Sequence, residues 1–211
     1  MFNILQTVFA KREIYFHEDD YCQQELLPRE ALGYAQSEIK KIGEFAEAHR
    51  APDGAGWTEV YVRPKPPPLT MRVLGMTRDD IHAVFSPYLP AFDLVYTGYS
   101  SYRERCRSTA AWGSSQHNAI FADWDDQGIV TNVWTQLFES DEKSISAASK
   151  AVTAIGQVHS IIYVDWAWGY ACEVINGEAF AAHLRHKLED IAGQNTINSQ
   201  VDENSNPHPA T

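Results

Sequence analysis

Apolar and polar side chains repeat with two different periods along the chain, and the switches between them mark out its elements. Residues 2–9 and 13–17 are rich in Phe, Ile, Val and Tyr, and read as β-strands joined by Ala10, Lys11 and Arg12. His17, Glu18, Asp19 and Asp20 interrupt this pattern, and residues 21–27 resume it before Pro28 stops it. The simplest expectation is a β-hairpin with a charged tip. Over residues 29–49 the period becomes helical: Leu32, Ala35, Ile39, Ile42, Phe45 and Ala46 share a stripe, with Glu38, Lys40, Lys41, Glu44 and Glu47 opposite. Pro52, Gly54 and Gly56 end the helix. Residues 57–62 alternate again, as a half-buried strand would.

The proline run within residues 63–68 cannot join a sheet interior, because proline has no N–H to donate. It reads as a stiff connector and marks a possible lobe boundary near 63–70. Thr77, followed by Asp79 and Asp80, caps a second helix that should reach residue 88 or 89 before Pro90. Residues 92–96 form a strand, and 98–118 read as polar and irregular. Residues 119–124 and 129–138 are two strands around a turn of Asp125, Asp126, Gln127 and Gly128, with Gly128 supplying a positive φ. A third helix spans about 141–156, capped by Ser140 or Asp141. Residues 159–166 form a strongly apolar, central strand, and 168–175 continue it or pair back. After a turn at Asn176 and Gly177, a last helix over 178–191 places Phe180, Leu184, Leu188 and Ile191 on one stripe. Residues 193–211 are polar and Asn-rich, as a disordered tail would be. This mixed order of helices and hairpins predicts an α+β fold, a mainly antiparallel sheet packed with about four helices, in one domain over 1–192.

Composition narrows the functional classes. With 17 basic and 28 acidic residues the net charge is −11, which disfavours nucleic acid and favours a basic protein partner. The three cysteines, Cys22, Cys106 and Cys172, are few and widely spaced, which suits a reducing compartment better than a disulfide framework. No apolar run reaches the length of a membrane span, and the N-terminus does not follow the order of a secretory signal. A cytoplasmic protein is the expectation.

The candidate chemistry is sparse. His17, Glu18, Asp19 and Asp20 are metal-ligand types, but neighbours on an extended chain point to alternate faces and cannot converge. Asp123, Asp125 and Gln127 alternate before Gly128 as in a calcium loop, but Trp134 stands where that loop needs Glu. Ser114, Ser115 and His117 lack the glycine-flanked serine of a nucleophile elbow, and no phosphate-binding glycine motif occurs. No cofactor and no metal are expected. Asp165, Trp166, Trp168 and Tyr170 form an aromatic and acidic set suited to the centre of a protein interface.

Residues 13–28, with their run of Tyr15, Phe16, His17, Glu18, Asp19, Asp20, Tyr21 and Cys22, resemble the opening of bacterial immunity proteins paired with polymorphic or secretion-delivered toxins. The segment 161–166 ahead of a turn and a terminal helix is similar to endings in such proteins. The resemblance implies a cognate toxin as partner and no enzymatic activity. On this expectation Glu18, Asp19, Asp20, Tyr21, Asp125, Asp126, Asp165, Trp166 and Trp168 meet the partner and block its active surface. The alternatives are a hydrolase-like enzyme using scattered His and acidic residues, or a structural part of a larger assembly.

Overall fold

The computed structural model describes residues 11–63, 67–99, 102–138, 141–175 and 177–190. Expectations for residues 2–9 and for the 193–211 tail, and the centre of the proline run, lie outside these. The described residues are α+β, with nine strands in two sheets and four helices. The strands are β1 Glu13–Phe16, β2 Gln24–Pro28, β3 Leu94–Tyr99, β4 Tyr102–Arg105, β5 Thr109–Ser115, β6 Asn118–Trp124, β7 Val130–Leu137, β8 Ile161–Asp165 and β9 Tyr170–Glu173. The helices are α1 Leu32–Ala48, α2 Arg78–Phe85, α3 Glu142–Val158 and α4 over 178–190.

The large sheet runs β5-β6-β7-β2-β8-β9, and each neighbouring pair in it is antiparallel. The small sheet runs β1-β3-β4, and its β1–β3 pair is parallel. The expected hairpin between β1 and β2 therefore does not form. Glu13 pairs with Leu94 in one sheet, and Gln24 pairs with Asp165 in the other. The reason is apolar content on both faces: all five residues of β2 are buried, so the strand needs a neighbour on each edge and a cover on each face.

Side-chain alternation divides the large sheet into two faces. One presents Leu26, Ile120, Val133 and Tyr163 to α2, α3 and α4, through Ile81, Phe85, Ile145, Val152, Ile155, Phe180 and Leu184. The other face is covered in two parts. Leu27, Ile162 and Val164 pack under α1, while Ala111, Ala119, Phe121 and Trp134 pack under Ile14, Phe16 and Val95 of the small sheet. Each buried aliphatic or Phe side chain contributes about 1.5–3 kcal/mol relative to exposure, so both faces are strongly held.

Local chemistry accounts for the boundaries. Residues Arg29–Ala31 form a 3-10 turn before α1, and the Arg29 backbone N–H, which has no intrahelical acceptor at a helix start, donates to the Ser160 carbonyl. Thr77 and Asp80 form a reciprocal capping box that starts α2, and Asp141 accepts the Ser144 N–H to start α3. Gly128 takes φ 76° in the β6–β7 turn, as expected. Three expectations fail. Residues 57–62 hold no strand beyond a single bridge from Trp57 to Arg50, and Trp57, Val60 and Val62 are exposed. The interval 98–118 contains β4 and β5, which pattern alone hides: β4 is wholly exposed, and β5 carries small side chains. The apolar strand β8 is second from the edge rather than central.

Candidate partner-binding face

Between β1 and β2 the chain crosses the face of β7. Glu18–Asp20 form one 3-10 turn, and the Nδ1 of His17 accepts the backbone N–H of Asp19 at 3.2 Å. The following two side chains fasten the turn to β7 on either side of Trp134. The Asp20 carboxylate accepts from Gln136 Nε2 at 3.1 Å. The Tyr21 hydroxyl donates to Asp123 at 2.9 Å and accepts from Asn132 at 3.0 Å. Its ring lies edge-on to Trp134 with centroids 5.3 Å apart, and Trp134 in turn stacks on Phe121 at 4.1 Å. Burial, with Cys22 and Asp123 adding negative charge, pushes the Tyr21 hydroxyl well above its ordinary value, so it stays a donor.

Cys22 follows with φ 54°, the left-handed conformation that a non-glycine residue rarely adopts. It persists because the flanking groups fix the chain: Gln23 N–H donates to Asp20, the Gln23 carbonyl accepts from Trp166, and Arg63 reaches the Cys22 carbonyl. The turn is thus presented on a rigid mount. Glu18 and Asp19 stay exposed, and among the described residues neither forms an ion pair with Lys or Arg. Exposed Glu47, Glu142 and Glu173 do have arginine partners.

Asp125 and Asp126 sit at the far end of the same hairpin. Asp125 Oδ1 accepts the N–H groups of Gln127 and Ile129, and its other oxygen meets Arg72. Burial alone would raise its pKa, but these donors lower it on balance. Asp126 is exposed. Six residues of β7 separate Gln136 from the turn, about 20 Å at strand rise. The acids therefore form a track, from Asp20 past Tyr21 and Asp123 to Asp125, and not the compact patch that clustering in sequence suggests.

The aromatic and acidic set divides differently. Asp165 and Trp166 are interior, 0% and 3% exposed, and offer no surface to a partner. Asp165 Oδ2 is shared by Lys187 Nζ at 3.0 Å and His183 Nε2 at 3.2 Å, with the Tyr163 hydroxyl at 3.3 Å. Its Oδ1 accepts the Trp168 N–H, which shapes the β8–β9 turn. Burial works to raise the Asp165 pKa, but the bond from His183 and the Lys187 charge bring it below the usual carboxylate range. The Trp166 indole donates to Glu25 at 2.7 Å while Arg63 lies 4.3 Å over its ring. Trp168, 36% exposed, remains at the surface with Lys187 behind it, and Tyr170 is half-buried, stacked on His183.

Asp165, His183, Lys187 and Tyr163 are the most concentrated ionisable group here, yet all four are buried, so substrate has no access to them in this state. His183 and Lys187 were legible in principle. They fall between Phe180, Leu184 and Leu188 on the apolar stripe of α4, where a charged pair requires an internal counter-charge. Among the described residues no cluster of three or more His, Cys, Asp or Glu is arranged to hold a metal, and no helix is long and apolar enough to cross a membrane. Compared with known proteins, the chain matches no family model, no curated protein and no solved structure.

Proposed function

We propose that this chain is a non-enzymatic binding protein that neutralises a basic protein, in the manner of a bacterial toxin-immunity protein, by covering the partner's active surface. The observation that carries the reading is the acidic turn Glu18–Asp20. It is fastened to β7 on both sides of Trp134, held by the strained Cys22, and among the described residues left without a Lys or Arg partner on Glu18 or Asp19. A rigid anionic ridge meets Lys or Arg side chains at low ordering cost, and Tyr21 supplies aromatic contact beside it, with Trp168 a further exposed aromatic in the β8–β9 turn.

The test begins with proteins that co-elute with the tagged chain from its native host. A basic protein that stops growth when made alone, and is silenced by co-expression, is the expected result. Reversing Glu18 and Asp19 to Lys should slow association at least tenfold and weaken its dependence on salt, with Tm unchanged. Asp20 is left intact because it holds Gln136. Unchanged association by this variant overturns the acidic ridge as the contact. Absence of any basic partner overturns the neutralisation reading.

A further inference from the structure

A second surface has the opposite character. Where β5 begins, the small sheet and the first turn of α2 enclose a cleft of about 170 Å³, lined by Arg78, Arg105, Arg107, Trp124, Phe92 and Cys106. The three arginines come from two parts of the chain: Arg78 opens α2, while Arg105 ends β4 and Arg107 follows two residues later in the connection to β5. None of them has a side-chain hydrogen bond or ion pair among the described residues. Arg29, Arg50, Arg63, Arg72 and Arg185 each hold a carboxylate, Arg12 holds two carbonyls, and Arg103 lies over the Tyr15 ring outside the cleft.

In a chain with 28 acids to 17 bases, guanidinium groups left without carboxylates require an explanation. Three like charges around one concavity repel, and an anion between them removes that cost. Asp93 also lines the cleft, its carboxylate accepting the backbone N–H of Arg12 at 2.8 Å, and three arginines against this one carboxylate leave positive charge in excess. The Arg78 guanidinium lies 5.0 Å from the Trp124 ring centroid, which restricts its orientation.

We infer that this cleft binds a phosphoryl group. Three arginines lining one cleft from two segments offer enough donors for the several oxygens of a tetrahedral oxyanion, whereas a single carboxylate is satisfied by one fork. The volume admits the phosphoryl group and little of what bears it. A nucleic-acid strand would bring its polyanionic length against a molecule of net charge −11, while a compact dianion meets three lining arginines against one lining carboxylate, Asp93. The site binds rather than transfers: burial, with Asp123 and Glu104 adding to it, raises the Cys106 thiol above its ordinary value, so no thiolate nucleophile stands there at neutral pH.

The phosphoryl group could arrive free in solution or on a phosphorylated side chain, and titration calorimetry separates the two. Inorganic phosphate at low ionic strength is the first probe. A Kd of about 1 mM or tighter, weakened at least tenfold in Arg105→Gln/Arg107→Gln and unchanged in Arg29→Gln, is the expected result. Equal Tm for the variants shows that the fold is kept. A phosphotyrosine peptide that binds more tightly than phosphate, while its unphosphorylated form does not bind, assigns a phosphoprotein source; equal affinity for phosphate and peptide assigns a free one. No saturable binding of either probe, or equal loss in Arg29→Gln, overturns the site.

Discussion

At the scale of single residues, the interior carboxylate Asp165 has the largest consequences. Two basic groups depend on it, and both are enclosed with it. Asp165→Asn keeps the shape but leaves the Lys187 ammonium buried without its counter-charge. A loss of about 3–5 kcal/mol in urea unfolding at pH 7 is expected. The pH dependence carries a sign. Because folding lowers the Asp165 pKa, its contribution is fully present above the unfolded value, about 3.9, and is lost as pH falls through the lower folded value. The gap between wild type and Asp165→Asn should therefore be constant near neutrality and narrow progressively below about pH 4. A gap that stays constant through acid shows that the carboxylate is not what supports the pair. Lys187→Met alongside Asp165→Asn should recover part of the loss, since the buried charge then disappears.

At the scale of elements, the seating of α4 against α3 turns on one position. Gly177 has φ 69°, and a Cβ there would lie 2.1 Å from the Thr153 Oγ1. Gly177→Ala should lower stability by more than about 1 kcal/mol, and adding Thr153→Ala should return the steric part while leaving the backbone part. Thermal melts of the single and double variants separate the two; no rescue would place the whole cost in the backbone. The same scale shows what pattern reading captures. The β6–β7 hairpin and the cap of α2 were legible because their determinants, Gly128 with Asp125 and Thr77 with Asp80, lie within a few residues of each other. The pairing of β1 and β2 was not legible, because the partners of Glu13 and Gln24 are Leu94 and Asp165. Strand β4 escaped notice because Tyr102, Arg103, Glu104 and Arg105 are all exposed and carry no alternation. At the candidate site, Glu18, Asp19 and Tyr21 could be picked out from charge and exposure-prone chemistry. The interior places of Asp165 and Trp166 could not, since burial of a charge depends on His183 and Lys187 arriving from another element.

At the scale of the whole molecule, the two sheets should differ in how readily they open. In the large sheet β2, β7 and β8 are flanked by strands and covered on both faces, while the small sheet ends in the exposed β4. Native-state hydrogen exchange should give the amides of Leu26, Val133 and Tyr163 the slowest rates, near global unfolding, and those of β4 much faster rates. Equal protection in the two sheets would show them to be one cooperative unit. The small sheet also carries Arg105 of the cleft, and β1 leads into the acidic turn, so both charge-bearing surfaces adjoin the sheet expected to exchange faster.

The place of β2 between β7 and β8 also bears on how the protein is made. Translation releases β2 early and completes its second neighbour only with Asp165. At typical elongation rates the interval is on the order of ten seconds; the strand has no edge partner until β7 emerges and only one until β8 is complete. The acidic turn is anchored through Asp123, Asn132 and Gln136, so it too takes its working shape only after β6 and β7 have left the ribosome. An incomplete nascent chain therefore lacks the mount on which Glu18 and Asp19 are displayed, and on the proposed function competence to capture a partner arrives late, together with the closing strands.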